Sequence, residues 1–367
     1  MYQPRFRLAW TVFLLACGPI FARGESRFTL STMPRIDVHA HIGNNWAVMD
    51  EYMELRDAIK KELNVEMAMW ISVGGGQPDF KELQDRYHGR ILWTISDYSG
   101  FQSIAGQPPK KLKFAPQDLA GWLQRGAVGL KFYPGWGKGV QIDLPIYDPI
   151  FSEMERIGMI GASVHVSNPC GTFGRRTTGW IPDPVEFWRQ QHAWENVLKK
   201  HPKLVVVNAH MLQLMYSDEQ LDYLRYMLST YPNVNVDLAA APEFLYYVGR
   251  DNLRDFMIQY ADRVLFGTDV GTKWFAPDLG GASDHFKTRA VNYKRSFDFL
   301  ETDKTLPSDF VDVTKGQEGV RLGVPGKRTI QGLALPQEVL EKIYFRNAMR
   351  IYPYVKANLK KLGYPVE

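Results

Sequence analysis

Short apolar or β-branched runs alternate with amphipathic stretches along most of this sequence, and this alternation constrains the fold more than any other feature. Apolar side chains recur at helical spacing in residues 49–63, 184–200 and 218–229, with Asp218 as a candidate N-cap. Right-handed crossovers repeated this often bring the last strand beside the first, so the pattern predicts an α/β protein with a closed (β/α)8 TIM barrel. An open doubly wound sheet is the alternative. The eight predicted strands are residues 35–42, 65–73, 91–98, 128–133, 159–166, 204–211, 234–238 and 264–269.

The chain has 367 residues, which suits one barrel domain spanning residues 25–367. Residues 273–335 interrupt the alternation with Gly- and Pro-rich segments and one helical piece around residues 290–300. We interpret residues 273–335 as an insertion after strand eight. Such insertions lie at the C-terminal face of a barrel, so this one is either a lid over the site or a surface elaboration.

The first 24 residues have the features of an export signal. Two arginines precede the apolar stretch 8–22, which is too short to span a bilayer comfortably. Cleavage near residue 24 would deliver the barrel to the periplasm or the medium. Residues 14–17 also resemble a lipobox, so a lipid anchor at Cys17 is the alternative, and we expect no other membrane attachment.

Charge gives no indication of a nucleic-acid partner. The formal net charge is +4, but three of the basic residues lie in the leader, and without it the net charge is +1. Proteins that bind nucleic acid concentrate Lys and Arg on one face, and this sequence has no long basic run. A small-molecule substrate is the expected partner.

Five residues with metal-binding side chains occur at the ends of predicted strands. His39 and His41 lie two apart on the first strand, so both imidazoles project from the same face. His165, His210 and Asp269 each end a later apolar strand, where barrel enzymes carry their catalytic groups. Imidazoles with one carboxylate suit Zn²⁺, Mn²⁺ or Fe²⁺ acting as a Lewis acid that activates water.

With these residues the chain resembles the amidohydrolase superfamily, in particular its amidohydrolase-related branch that includes decarboxylases of the aminocarboxymuconate semialdehyde type. The resemblance covers most of residues 35–353. It includes a closing C-terminal helix at residues 341–353, with Asn347, Ala348 and Arg350 at the expected places. Homodimers are common in that branch, so a homodimer is an expectation here.

The resemblance implies a role for each of the five residues. His39, His41, His165 and Asp269 would hold the metal, most simply Zn²⁺. His210 would orient water or polarise the substrate. Asp269 would also accept a proton and return it to the leaving group.

Lys131 ends the fourth predicted strand. Binuclear members of the superfamily use a carboxylated lysine at this position to bridge two metals. The competing roles are a neutral lysine behind the metal ligands and a cation that binds a substrate carboxylate.

Four tryptophans, Trp46, Trp136, Trp180 and Trp274, follow strands one, four, five and eight. These segments should converge at the barrel mouth, where the indole rings would suit a flat cyclic or aromatic substrate. Arg175 could bind a substrate carboxylate there. The alternatives are tryptophans that pack the loops and an arginine that remains in solvent.

The sequence therefore predicts a metal-dependent hydrolase that cleaves a C–N or C–O bond in a small molecule. A metal-dependent decarboxylase on the same barrel is the first rival. A non-catalytic binding protein is the second, and the presence of all five ligand-type residues argues against it.

Overall fold

The computed structural model describes residues 28–43, 45–74, 78–97, 109–134, 140–167, 184–241, 245, 248–271, 292–307 and 329–367. Each of the eight predicted strands overlaps an observed one. The strands are β1 (Pro34–Ala40), β2 (Glu66–Ser72), β3 (Ile91–Trp93), β4 (Ile95–Asp97), β5 (Leu130–Phe132), β6 (Gly161–Val164), β7 (Val206–Asn208), β8 (Val234–Asp237), β9 (Val264–Leu265), β10 (Thr305–Pro307) and β11 (Thr329–Gln331).

Helices separate the strands in the order that the alternation predicts. They are α1 (Trp46–Leu63), α2 (Phe80–Tyr87), α3 (Leu119–Arg125), α4 (Asp148–Ile157), α5 (Pro184–Lys200), α6 (Asp218–Thr230), α7 (Arg250–Gln259), α8 (292–301), α9 (Gln337–Glu341), α10 (Asn347–Ile351) and α11 (Val355–Lys361). Within the described residues, no helix has the length and apolarity needed to cross a bilayer. Residues 1–27, which contain the predicted signal and the candidate anchor Cys17, lie outside the described residues.

Strands β1 to β9 pair in parallel and in sequence order. One sheet has the order β1-β2-β3 and the other runs from β4 to β9. Strands β3 and β4 are two parts of the third predicted strand, separated at Thr94, whose N–H still donates to the Ser72 carbonyl at 3.1 Å. All of these strands are buried, which is why their sequences are nearly continuous apolar runs.

Backbone hydrogen bonds join the last strand to the first. Val38 N–H donates to the Phe266 carbonyl at 3.0 Å, and Asp269 N–H donates to the His39 carbonyl at 2.8 Å. His41 N–H then donates to the Val270 carbonyl at 2.9 Å. The strands thus form the (β/α)8 barrel that the alternation predicts, with the carboxyl ends of β1 and β9 side by side.

The described part of the predicted insertion is packed against the barrel. Helix α8 buries Tyr293 and Phe297, and the Phe297 ring stacks on that of Phe266 with 5.6 Å between centroids. Strands β10 and β11 pair antiparallel farther along. The remainder, residues 272–291 and 308–328, lies outside the described residues, so the lid role stays a prediction.

The predicted closing helix contains a π-helical turn, Lys342–Arg346, between α9 and α10. Its Ile343 carbonyl accepts from Phe266 N–H at 2.9 Å. Asn347 donates through Nδ2 to the carbonyls of Ala261 and Val264, each at 2.7 Å. The helix therefore fixes the last barrel strand by direct hydrogen bonds.

The predicted N-cap of α6 is wrong by one residue. Ser217, in extended backbone conformation, caps the helix by accepting from Gln220 N–H, and Asp218 is the first helical residue. Both residue types cap well, so their order alone did not distinguish them. Asp218 instead accepts hydrogen bonds from Gly249 and Asn252 at the start of α7.

Candidate metal centre

Three of the predicted metal ligands converge where β1 and β9 end. His39 Nε2 lies 3.3 Å from Oδ1 of Asp269, and His41 Nε2 lies 3.0 Å from the same oxygen. One ligand atom from each residue falls within 4.8 Å of the other two. His39 is fully buried, whereas His41 and Asp269 are partly exposed, so the cluster opens toward the barrel mouth.

Asp269 adopts a left-handed backbone conformation with φ of 62°, which is uncommon for a residue other than glycine. This turn follows the short strand β9 and directs the carboxylate back toward the two histidines. Burial would raise the pKa of Asp269, but His210, His41 and His39 together outweigh burial and lower it well below its ordinary value. Asp269 is therefore an ionised carboxylate at neutral pH, the form that binds metals.

The orientation of His39 is set by Asp237, at the end of β8. Oδ2 of Asp237 lies 2.8 Å from His39 Nδ1, and both side chains are fully buried. Oδ1 of Asp237 accepts from the N–H groups of His210 and Ala239. Burial is the largest influence on Asp237 and raises its pKa.

With Nδ1 held by Asp237, the other ring nitrogen of His39 faces the cluster. This buried Nε2 makes no hydrogen bond to any described residue. Buried polar atoms are normally satisfied, and a metal-binding imidazole normally gives its second nitrogen to a carboxylate. The residues therefore fit a metal ion bound by His39, His41 and Asp269. His39, His210 and Asp237 also lie close together, but the hydrogen bond that His39 Nδ1 donates to Asp237 already accounts for that group.

His210 lies beside this cluster in a short segment of left-handed residues. Its φ is 54°, and Nδ1 donates to the Ala239 carbonyl at 2.8 Å. That bond places the proton of the neutral ring on Nδ1 and leaves Nε2 as an acceptor. The ring centroids of His210 and His39 are 4.9 Å apart.

His165, the fourth predicted ligand, directly follows β6 and is partly buried. Its ring lies 4.9 Å from that of His210 and 4.0 Å from that of Tyr133, and Gln213 Nε2 lies 3.4 Å from its Nε2. Among the described residues it is not part of the group formed by His39, His41 and Asp269, so its role as a metal ligand stays a prediction. Burial lowers the pKa values of His39 and His165 well below the ordinary value, so both rings are neutral and able to bind a metal.

Lys131 is buried beside these residues on β5. Its Nζ donates to Oγ of Ser163 on the neighbouring strand β6 at 2.9 Å. Burial lowers the pKa of Lys131 to about 8, against the opposing effects of Asp269 and Asp237. The structure places Lys131 near the candidate site, and the carboxylated bridge stays a prediction.

The predicted substrate residues are only partly placed. Trp46 begins α1, half-buried, with its ring 6.2 Å from that of Tyr87 and the Arg86 guanidinium 5.5 Å from its centroid. Its substrate role stays a prediction. The other four, Trp136, Arg175, Trp180 and Trp274, lie outside the described residues.

Sequence reasoning missed two aspartates near the cluster, Asp237 and Asp37. Asp237 ends a predicted strand just as His165 and His210 do, and that position was the available signal. Asp37 lies within β1, two residues before His39 on the same face, so the strand period could have indicated it.

No curated protein matches this chain. Among solved structures, an uncharacterised TIM-barrel protein from Bordetella bronchiseptica is 15% identical, with 89% of this chain and 99% of that chain covered and a TM-score of 0.47. 5-Carboxyvanillate decarboxylase LigW from Sphingomonas paucimobilis is 12% identical, with 87% of this chain and 99% of that chain covered and a TM-score of 0.43. An amidohydrolase from Burkholderia multivorans with bound zinc is 13% identical, with 86% of this chain and 98% of that chain covered and a TM-score of 0.44. A family model described as amidohydrolase matches residues 36–354, and the chain therefore belongs to the amidohydrolase family of metal-dependent enzymes.

Proposed function

We propose that this protein is a metal-dependent hydrolase that activates water to cleave a C–N or C–O bond in a small, cyclic or aromatic molecule. The observation that carries the proposal is the buried Nε2 of His39, which makes no hydrogen bond within the described residues and faces His41 and Asp269. Membership of the amidohydrolase family supports it.

In this proposal His39, His41 and Asp269 hold the metal, and His165 joins them as the fourth ligand that the resemblance implies. A bound Zn²⁺, Mn²⁺ or Fe²⁺ would supply a Lewis acid that makes water a stronger acid and polarises the substrate. Asp237 keeps the His39 ring in the orientation that binding needs.

Two residues have proton and positioning roles. Asp269 stays ionised, so it can accept the proton of the attacking water and return it to the leaving group. His210 carries its ring proton on Nδ1, toward Ala239, so its Nε2 can accept a hydrogen bond from water and orient it. Both residues border the same cluster, so these roles need no rearrangement of the barrel.

A metal-dependent decarboxylase is the second candidate, and Lys131 is the residue that favours it. Its buried amine donates to Ser163 and has further donors that could bind a substrate carboxylate. Decarboxylation releases carbon dioxide, whereas hydrolysis releases acid or amine. The products therefore distinguish the two reactions.

The test uses zinc-loaded protein with panels of lactones, cyclic amides and aromatic carboxylates. Hydrolysis of lactones is followed by acid release at constant pH, hydrolysis of amides by product mass, and decarboxylation by evolved carbon dioxide. We expect hydrolysis in wild type, its loss in Asp269→Asn, and its retention in Asp262→Asn, an exposed carboxylate paired with Lys342. Carbon dioxide release would assign the decarboxylase instead. Hydrolysis that survives Asp269→Asn would overturn the proposed role of Asp269.

A further inference from the structure

A second buried carboxylate, Asp37, lies on β1 two residues before His39. It is fully buried and accepts four hydrogen bonds. Oδ1 accepts from the N–H groups of His39 at 3.0 Å and Thr268 at 3.2 Å. Oδ2 accepts from the hydroxyls of Thr268 and Tyr293, each at 2.5 Å. All four lone-pair positions of the carboxylate are therefore used.

These bonds join parts of the chain that are far apart in sequence. Asp37 and Thr268 are 231 residues apart, and Asp37 and Tyr293 are 256 apart. Tyr293 belongs to α8, within the predicted insertion, and its hydroxyl also accepts from Nε1 of Trp70 on β2 at 2.8 Å. The segment after β9 and the insertion thus meet β1 at one carboxylate, and Tyr293 links this carboxylate to β2.

The location matters because β9 is only two residues long. Beyond it the chain turns at Asp269, where the contact with β1 consists of single backbone bonds, from Asp269 N–H to the His39 carbonyl and from His41 N–H to the Val270 carbonyl. Thr268 precedes Asp269, and the N–H of His39 is bound directly to Asp37. The side chain of Asp37 therefore adds its bonds to Thr268 to the backbone bonds that align the two segments.

We propose that Asp37, Thr268 and Tyr293 form a positioning cluster that sets the geometry of the metal ligands, so that the insertion helix α8 helps to determine metal binding. The proposal rests on the proposed function, since it needs a metal at His39, His41 and Asp269. Residues that hold ligands in orientation typically change metal affinity about 10- to 100-fold when they are lost.

A comparable network at the other end of α8 provides a control. Glu301 accepts from Arg35 at 2.7 Å and from the Tyr344 hydroxyl at 2.8 Å, and all three side chains are buried or nearly so. The Arg35 guanidinium also lies over the rings of Phe297 and Tyr344. This network links α8 to the start of β1 without contact to a metal ligand. Its loss should cost stability alone.

The experiment compares Tyr293→Phe with Tyr344→Phe, because each removes one buried tyrosine hydroxyl bonded to a carboxylate. Zinc affinity is measured by chelator competition, the visible spectrum after Co²⁺ loading reports ligand geometry, and thermal unfolding reports stability. We expect Tyr293→Phe to weaken Zn²⁺ binding about tenfold or more and to alter the Co²⁺ spectrum. Tyr344→Phe should lose similar stability and keep both metal properties.

A second pair of variants, at Thr268, tests the proposal if Tyr293→Phe fails to fold. Thr268→Ser keeps the hydroxyl and should retain wild-type Zn²⁺ affinity, whereas the isosteric Thr268→Val should lose affinity. Wild-type metal binding in Tyr293→Phe and Thr268→Val, or equal losses in Tyr344→Phe, would overturn the positioning role and leave the proposed function intact. A wild-type protein that binds neither Zn²⁺ nor Co²⁺ would overturn the proposed function itself.

Discussion

Asp237 and His39 form a buried carboxylate–imidazole pair in which Oδ2 lies 2.8 Å from Nδ1. The pair directs Nε2 of His39 toward the metal position, so we expect Asp237→Asn to weaken Zn²⁺ binding about 10- to 100-fold. Chelator competition measures the affinity. Asp148→Asn is the matched control, because Asp148 bonds the imidazole of His201 at 3.1 Å on the outside of the barrel. Equal affinity in the Asp237 and Asp148 variants would contradict the role of Asp237.

Gly267 lies close to both His39 and Asp237. A Cβ at this position would lie 3.1 Å from the Cβ of His39 and 3.4 Å from the Cβ of Asp237. Gly267→Ala should therefore cost about 1–3 kcal/mol of unfolding free energy and weaken metal binding. Gly121→Ala in α3, where nothing lies within 4 Å, should leave stability equal or higher. Denaturant unfolding measures the stability of both variants. A Gly267→Ala variant with the unfolding free energy of the wild type would show that the barrel relaxes around the added methyl group.

For Lys131 we expect no part in holding the metal. Its Nζ donates to Oγ of Ser163 at 2.9 Å, so the amine already has a hydrogen-bond partner on the neighbouring strand. Lys131→Met should keep the metal content of the wild type in elemental analysis. A fall from about two metals per chain to one would instead establish the carboxylated bridge.

Glu195 provides a pH-dependent contact between α5 and α6, away from the metal centre. Burial opposes its ionisation, but hydrogen bonds from Tyr223, Tyr231 and Lys199 outweigh burial and lower its pKa. A lowered pKa means that the carboxylate stabilises the fold above the ordinary value of 4.5 and that this contribution is lost as the pH falls through the folded-state pKa. Glu195→Gln should thus be less stable than wild type at neutral pH.

Protonation of Glu195 should remove its stabilising effect in acid. The stability difference between wild type and Glu195→Gln should narrow as the pH falls below the ordinary value of 4.5, measured by denaturant unfolding at each pH. The exposed Glu62→Gln should match wild type throughout. A difference for Glu195→Gln that stays constant with pH would show that packing, and not charge, is lost.

Local patterns predicted much of the barrel. Buried parallel strands are rich in apolar residues, so all eight were found, and the period of a strand placed His39 and His41 on one face. The supporting carboxylates could not be found in this way. Asp237 meets His39 across 198 residues and Asp37 meets Thr268 across 231, so their partners are set by barrel closure.

The ends of elements were also hard to predict. The strand predicted to include His165 ends at Val164, so His165 stands beyond the sheet and packs on Tyr133. The left-handed turns at His210 and Asp269 have no marker in the sequence, because glycine, the usual residue for such backbone, is absent there. These turns bring the ligand side chains back over the barrel.

The most direct test of a metal centre at His39, His41 and Asp269 is elemental analysis of the purified protein beside Asp269→Asn, after both are reconstituted with Zn²⁺ and freed of excess metal. We predict about one transition metal per wild-type chain and a clear loss in the variant, because Asp269 Oδ1 faces both histidines. A wild-type protein that retains no metal, or a variant that retains as much as wild type, would contradict this account.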